Sequence, residues 1–167
     1  MFKKIITFSF LFFLLSSNLN AVVTVLGSSD AHICYKRAKY GSTTQSSVLT
    51  CLKAISDMTI SKRDIDASRI NLGIIYNNKL EPRMALEQFE IALKNENMRA
   101  EIFLNQGNSL LLLKDYKGAL KKYQVSLENN LKDISAVYFN KGMAHEYLGN
   151  IDQAVSFYKK AVTLNPS

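Results

Sequence analysis

The sequence predicts an all-α solenoid of antiparallel helix pairs, and three observations carry the prediction. A pattern of small and aromatic residues recurs every 34 to 35 residues through the C-terminal part of the chain. Only 7 Gly and 2 Pro occur in 167 residues, which disfavours long loops and turn-rich β architecture. Between the breaks, apolar residues follow helical rather than alternating spacing.

Taken in chain order, residues 1–21 read as a secretory signal peptide. Lys3 and Lys4 precede an apolar run from Ile5 to Leu15, and a polar stretch leads to Leu19-Asn20-Ala21. Eleven helical residues reach about 16 Å, roughly half a bilayer core, so a permanent membrane span is the weaker reading. Cleavage is expected after Ala21, although Leu19 is bulkier than the residue usual at its place. The short basic start suits a bacterial leader, giving an exported protein, periplasmic or secreted, with no stable transmembrane span in the mature chain. Residues 22–29 read as a linker.

Residues 30–65 read as a helical hairpin and its joint. Ala31 to Tyr40 is helical, Gly41 to Thr44 breaks it, and Ser46 or Ser47 caps a second helix through Leu49, Leu52 and Ile55. Cys34 and Cys51, the 2 cysteines of the chain, fall one on each helix. An even count behind a leader favours a disulfide. Closing that loop would restrict the unfolded chain by roughly 3 kcal/mol. Two buried thiols are the bland alternative; a redox pair lacks C-x-x-C spacing.

Three copies follow, at 66–99, 100–134 and 135–167. Gly73, Gly107 and Gly142 head the pattern; Ala85, Ala119 and Ala154 come next, then Phe89, Tyr123 and Tyr158, then Ala92, Ser126 and Ala161. Each copy reads as two helices that approach closely where side chains are small, with the aromatic filling space toward the next copy. Pro82 suits the first turn of a second helix. Gly149 suits the end of a first helix, and Asp152 suits a helix start. Leu164-Asn165-Pro166 is a natural stop.

These columns resemble the tetratricopeptide repeat family, over Asp66 to Ser167. Small exported members with a cysteine pair ahead of the repeats look similar. Copies one and two depart from the family pattern in lacking the terminal Pro, with Asn97 and Leu131 there. The resemblance implies a right-handed superhelical solenoid whose first helices line a concave, partner-binding face. In this register that face takes Ile70, Asn71, Ile74 and Asn77 from copy one. Copy two supplies Leu104, Asn105, Asn108 and Leu111, and copy three Phe139, Asn140, Met143 and Glu146. In several members of the family asparagines in this region hydrogen-bond a peptide backbone, and Asn71, Asn105 and Asn140 recur at the matching place. A lysine and arginine carboxylate clamp is disfavoured, because Ile70 and Ile74 occupy such positions.

The expected function is therefore a scaffold for a protein or peptide; the alternative is a binding module for an envelope glycan or lipid, resting on aromatics such as Tyr138 and Tyr147. Lys+Arg total 21 against 14 Asp+Glu. The basic residues are scattered without interleaved aromatics, which argues against nucleic acid. No G-x-S-x-G, H-E-x-x-H, phosphate loop or C-x-x-C occurs, so no enzyme, cofactor or metal site is expected. His32 and His145 read as surface residues, and Asp64 and Asp66 as helix-start charges. The last helix is expected to leave parts of Val155, Phe157 and Val162 uncovered, allowing weak self-association at the C-terminal end.

Overall fold

The computed structural model describes residues 19–27 and 29–165. Most of the expected leader, together with Pro166, lies outside the described residues. Among the described residues eight α-helices follow one another: α1 (Ser29–Lys39), α2 (Gln45–Ser56), α3 (Lys62–Asn78), α4 (Pro82–Ala92), α5 (Arg99–Leu112), α6 (Tyr116–Glu128), α7 (Ser135–Tyr147) and α8 (Ile151–Leu164). Among the described residues there is no strand, and no helix is long and apolar enough to cross a membrane. Helices packed most extensively are chain neighbours, within a pair and between successive pairs, which is the nearest-neighbour stacking of a solenoid.

The small–large columns explain the packing within each pair. A methyl group added at Gly73 would run into the Phe89 ring, one at Gly107 into Tyr123, and one at Gly142 into Tyr158. The aromatic therefore lies on the glycine of its own copy, and Phe89 also shares a core with Met98 and Ile102 at the start of the next unit. Lacking a Cβ, the glycine lets the ring approach the helix closely. Ala85, Ala92 and Ala119 are fully buried beside these rings, and Ala154 and Ala161 nearly so.

Each first helix ends in the same way. Leu80, Lys114 and Gly149 adopt left-handed backbone, with φ of 61°, 64° and 77°. The following amide closes the turn: Glu81 N–H donates to Tyr76 O, Asp115 N–H to Leu110 O and Asn150 N–H to His145 O, each at 2.9 Å. This is the paired-bond helix stop that a glycine normally occupies. Only copy three announces it with one; in copies one and two the turn overrides a side-chain cost of roughly 1–2 kcal/mol.

The N-terminal hairpin differs from expectation at its cap and joint. Thr44, not Ser46 or Ser47, caps α2, its side chain accepting from Ser47 N–H at 3.3 Å, while Ser47 is buried. The hairpin and its joint end before residue 65, because α3 begins at Lys62. Cys34 and Cys51 are disulfide-bonded with Cα atoms 4.9 Å apart. Both are fully buried, in the same core as Ala67, Ile70, Phe89 and Ala92. Residues 22–27, expected as linker, do not behave as one: Val23 and Val25 are buried in that core.

Candidate functional site: an asparagine-lined groove that holds an extended chain

Asn71 lies on α3, Asn105 and Asn108 on α5, and Asn140 on α7, and all four are fully buried. A primary amide presents one acceptor and two donors in a plane, so it can grip both the N–H and the C=O of one residue of an extended chain. The structure uses it this way three times, on residues 19–23 of the same chain. Asn71 accepts from Val23 N–H at 3.1 Å and donates to Val23 O at 2.8 Å. Asn105 accepts from Ala21 N–H at 3.1 Å and donates to Ala21 O at 2.9 Å. Asn140 accepts from Leu19 N–H at 3.3 Å and donates to Leu19 O at 2.9 Å.

One repeat of the solenoid thus matches two residues of the occupant. Two extended residues span roughly 6.7 Å. That step suits the inner side of a curved stack whose helix axes lie roughly 8–10 Å apart. The Asn140 amide is also held by a second groove amide, that of Asn108. Asn108 donates to Leu19 O at 3.0 Å and to Asn20 Oδ1 at 2.9 Å. Its own oxygen accepts from Asn140 Nδ2 at 2.8 Å and from the Tyr123 hydroxyl at 2.9 Å. Tyr123 is also the ring that covers Gly107, and burial raises its pKa well above the ordinary tyrosine value. The aromatic column that packs a helix pair thereby also sets a groove amide. Asn77 serves between copies: it accepts from Ser109 Oγ at 2.9 Å.

The other expected face residues divide by burial. Ile70, Ile74 and Leu104 are fully buried, and Leu111 and Met143 nearly so. They form the floor beneath the strand rather than an open contact surface. Phe139 is half-buried and packs on Tyr158, ring centroids 5.4 Å apart. Glu146 is exposed and accepts from the Tyr158 hydroxyl at 2.6 Å. Its carboxylate joins burial in raising the Tyr158 pKa.

Sequence reasoning read Asp64 as a helix-start charge, and that is half of what it does. Ser61 Oγ accepts from Asp64 N–H at 3.1 Å, a cap for α3. The Asp64 carboxylate also accepts from Leu26 N–H at 3.0 Å and pairs with Arg63 at 3.2 Å, and Arg63 donates to Thr24 O at 3.2 Å. These two residues anchor the strand where it leaves the groove. A capping box needs only a carboxylate, so nothing in the local pattern signalled the second task.

Away from the groove, the aromatics named for a glycan are engaged within the chain. Tyr147 stacks on Tyr116 at 5.1 Å, and Tyr138 carries Lys160 Nζ at 4.1 Å from its ring centroid. Phe157, expected to be partly uncovered, is half-buried against His145 and Tyr138 at 5.1 and 6.2 Å. Val155 and Val162 are 45% and 66% exposed. No group of three or more His, Cys, Asp or Glu is placed to hold a metal ion among the described residues.

Fold and groove together define a helical-repeat solenoid whose asparagines hold an extended segment of the same chain. Residues 135–167 match the family model described as tetratricopeptide repeat. Over 155 residues the chain is 24% identical to the type IV pilus assembly protein PilF of Pseudomonas aeruginosa, covering 90% of this chain and 60% of that one. It thus spans less than two thirds of that relative's length. The crystal structure of MamA superposes with a TM-score of 0.62 at 16% identity, over 85% of this chain and 77% of that one; the likeness concerns fold. Residues 135–167 thus form one tetratricopeptide repeat, set in a solenoid of similar helix pairs.

Proposed function

We propose that this protein is an exported, non-catalytic scaffold whose concave face holds an extended segment of another protein. The observation that carries this is the set of three asparagine rungs, one per repeat, each gripping both backbone groups of a single residue. Such a site recognises polypeptide as polypeptide, because every residue but proline offers the same N–H and C=O. The disulfide supports an oxidising compartment, and the leader reading of residues 1–21 agrees with it. The relative's name, a pilus assembly protein, supports a role in building an envelope structure, with a subunit of that structure as the partner. Weak association of two copies through the bare valines of α8 belongs to the same reading.

The test is site-specific photocrosslinking in the native host. A crosslinker at Leu112, which lines the recess beside the strand with Leu19, Val22 and Asn77, should capture a discrete partner. The same group at exposed Lys121 should not. Equal capture from both places, or none from Leu112, contradicts the assignment of the groove.

A further inference from the structure

In the structure the groove is already filled by residues 19–26 of the same chain. The occupant is held over long sequence distances: Val23 to Asn71, Ala21 to Asn105 and Leu19 to Asn140 are separated by 48, 84 and 121 residues. Its hold is graded along its length. At the α3 end Val23 and Val25 are 8% and 4% exposed, and the Arg63–Asp64 pair secures the backbone. At the α7 end Leu19 is 43% exposed, and the Leu19 N–H bond is the longest of the three amide grips.

The geometry points to residues 19–26 as a tethered occupant of the groove, which an extended peptide carrying small or β-branched apolar side chains must replace, beginning at the α7 end. This rests on the scaffold reading above and adds what blocks the site and what fits it. The backbone bonds impose no sequence. Selectivity comes from the space around the occupant: Val23 and Val25 fill closed positions, and Ala21 packs against the α5–α7 core. A long or charged side chain at the place of Ala21 or Val23 would have to be buried without a partner. A short tether presents its own segment at an effective concentration on the order of millimolar, so an outside peptide binds only as far as the occupant is released. The expected leader cut after Ala21 falls between two rungs. It would take Leu19 and Ala21 away from Asn140, Asn108 and Asn105 and leave Val23 on Asn71.

Proline substitutions release the same rungs in the full chain. Ala21→Pro with Val23→Pro removes two bonded N–H groups, whereas Val22→Pro removes one that no rung uses. The probe is a fluorescein-labelled peptide with the sequence of residues 19–26, followed by anisotropy, with far-ultraviolet circular dichroism as the control for folding. The doubly substituted chain should bind at least tenfold more tightly than the native chain, and Val22→Pro should behave as native. Adding Asn105→Ala and Asn140→Ala should abolish the gain, and a probe with Arg at the place of Ala21 should lose it. Equal, asparagine-dependent binding by native and released chains overturns the tethered occupant and leaves the groove assignment standing. No binding by a folded, released chain overturns both.

Discussion

The two ends of the stack are built from the same kinds of residues but finished in opposite ways. At the N-terminal end, α3 is covered by the disulfide-bonded α1–α2 hairpin, by α4 and α5, and by the extended strand. Every residue from Ile70 to Asn77 is buried. At the C-terminal end, α8 has the same small columns, with Ala154 and Ala161 nearly buried, yet Val155 and Val162 stand in solvent. The aromatic column shows the same gradient: Phe89 and Tyr123 are fully buried, and Tyr158 only partly. A helical repeat specifies how its two helices meet. How far they are buried depends on what the neighbouring layers supply.

Breaking the closed end should have the largest effect. Replacing Cys34 and Cys51 by serine frees a loop with a sequence separation of 17 and should cost about 3 kcal/mol, read as a lower urea midpoint. The cost should fall on α1 to α4, with hydrogen exchange in α7 and α8 little changed. Next comes the glycine pair. Gly107→Ala forces a fully buried ring whose hydroxyl is bonded to Asn108, and should destabilise by about 2 kcal/mol, the overpacking cost outweighing the gain in helix propensity. Gly142→Ala pushes on a ring that can yield toward solvent and should cost less than about 1 kcal/mol on the same scale. Equal losses at the two glycines would mean that burial does not grade the repeat.

Smaller still is the response of α8. Val155→Ser with Val162→Ser should change stability by no more than about 0.5 kcal/mol, and should abolish any concentration dependence of mass in light scattering. The smallest effect is electrostatic. Burial and nearby Lys141 hold the His145 pKa below its ordinary value. The unfolded chain therefore takes up a proton that the folded chain resists, and stability should decline as pH falls below about 6.5. Because His145 is only partly buried, the decline should be slight, and His145→Gln should remove it.

The fold was legible because its cause is local and periodic. Gly107 and Tyr123 are 16 residues apart in a column visible three times over, and the steric need for that spacing is confined to one helix pair. The rungs were legible for the same reason: Asn71, Asn105 and Asn140 recur in step. What they hold was not legible. Leu19 to Gly27 has no helical period and no counterpart in the repeats, and its partners lie far along the chain. An extended segment that reads as a linker by composition becomes part of the core only through bonds that all residues can make. Asp64 was half legible because its capping role accounts for it completely at the level of local sequence.

The central claim is that each repeat grips one residue of the strand and skips the next. Backbone amide hydrogen exchange of the uncleaved chain at single-residue resolution tests it most directly. Ala21 and Val23 should be protected, Val22 and Thr24 should exchange freely, and Asn105→Ala should release Ala21 while leaving Val23 protected. Uniform exchange from residue 21 to 24, or protection at Ala21 that survives Asn105→Ala, would contradict the account.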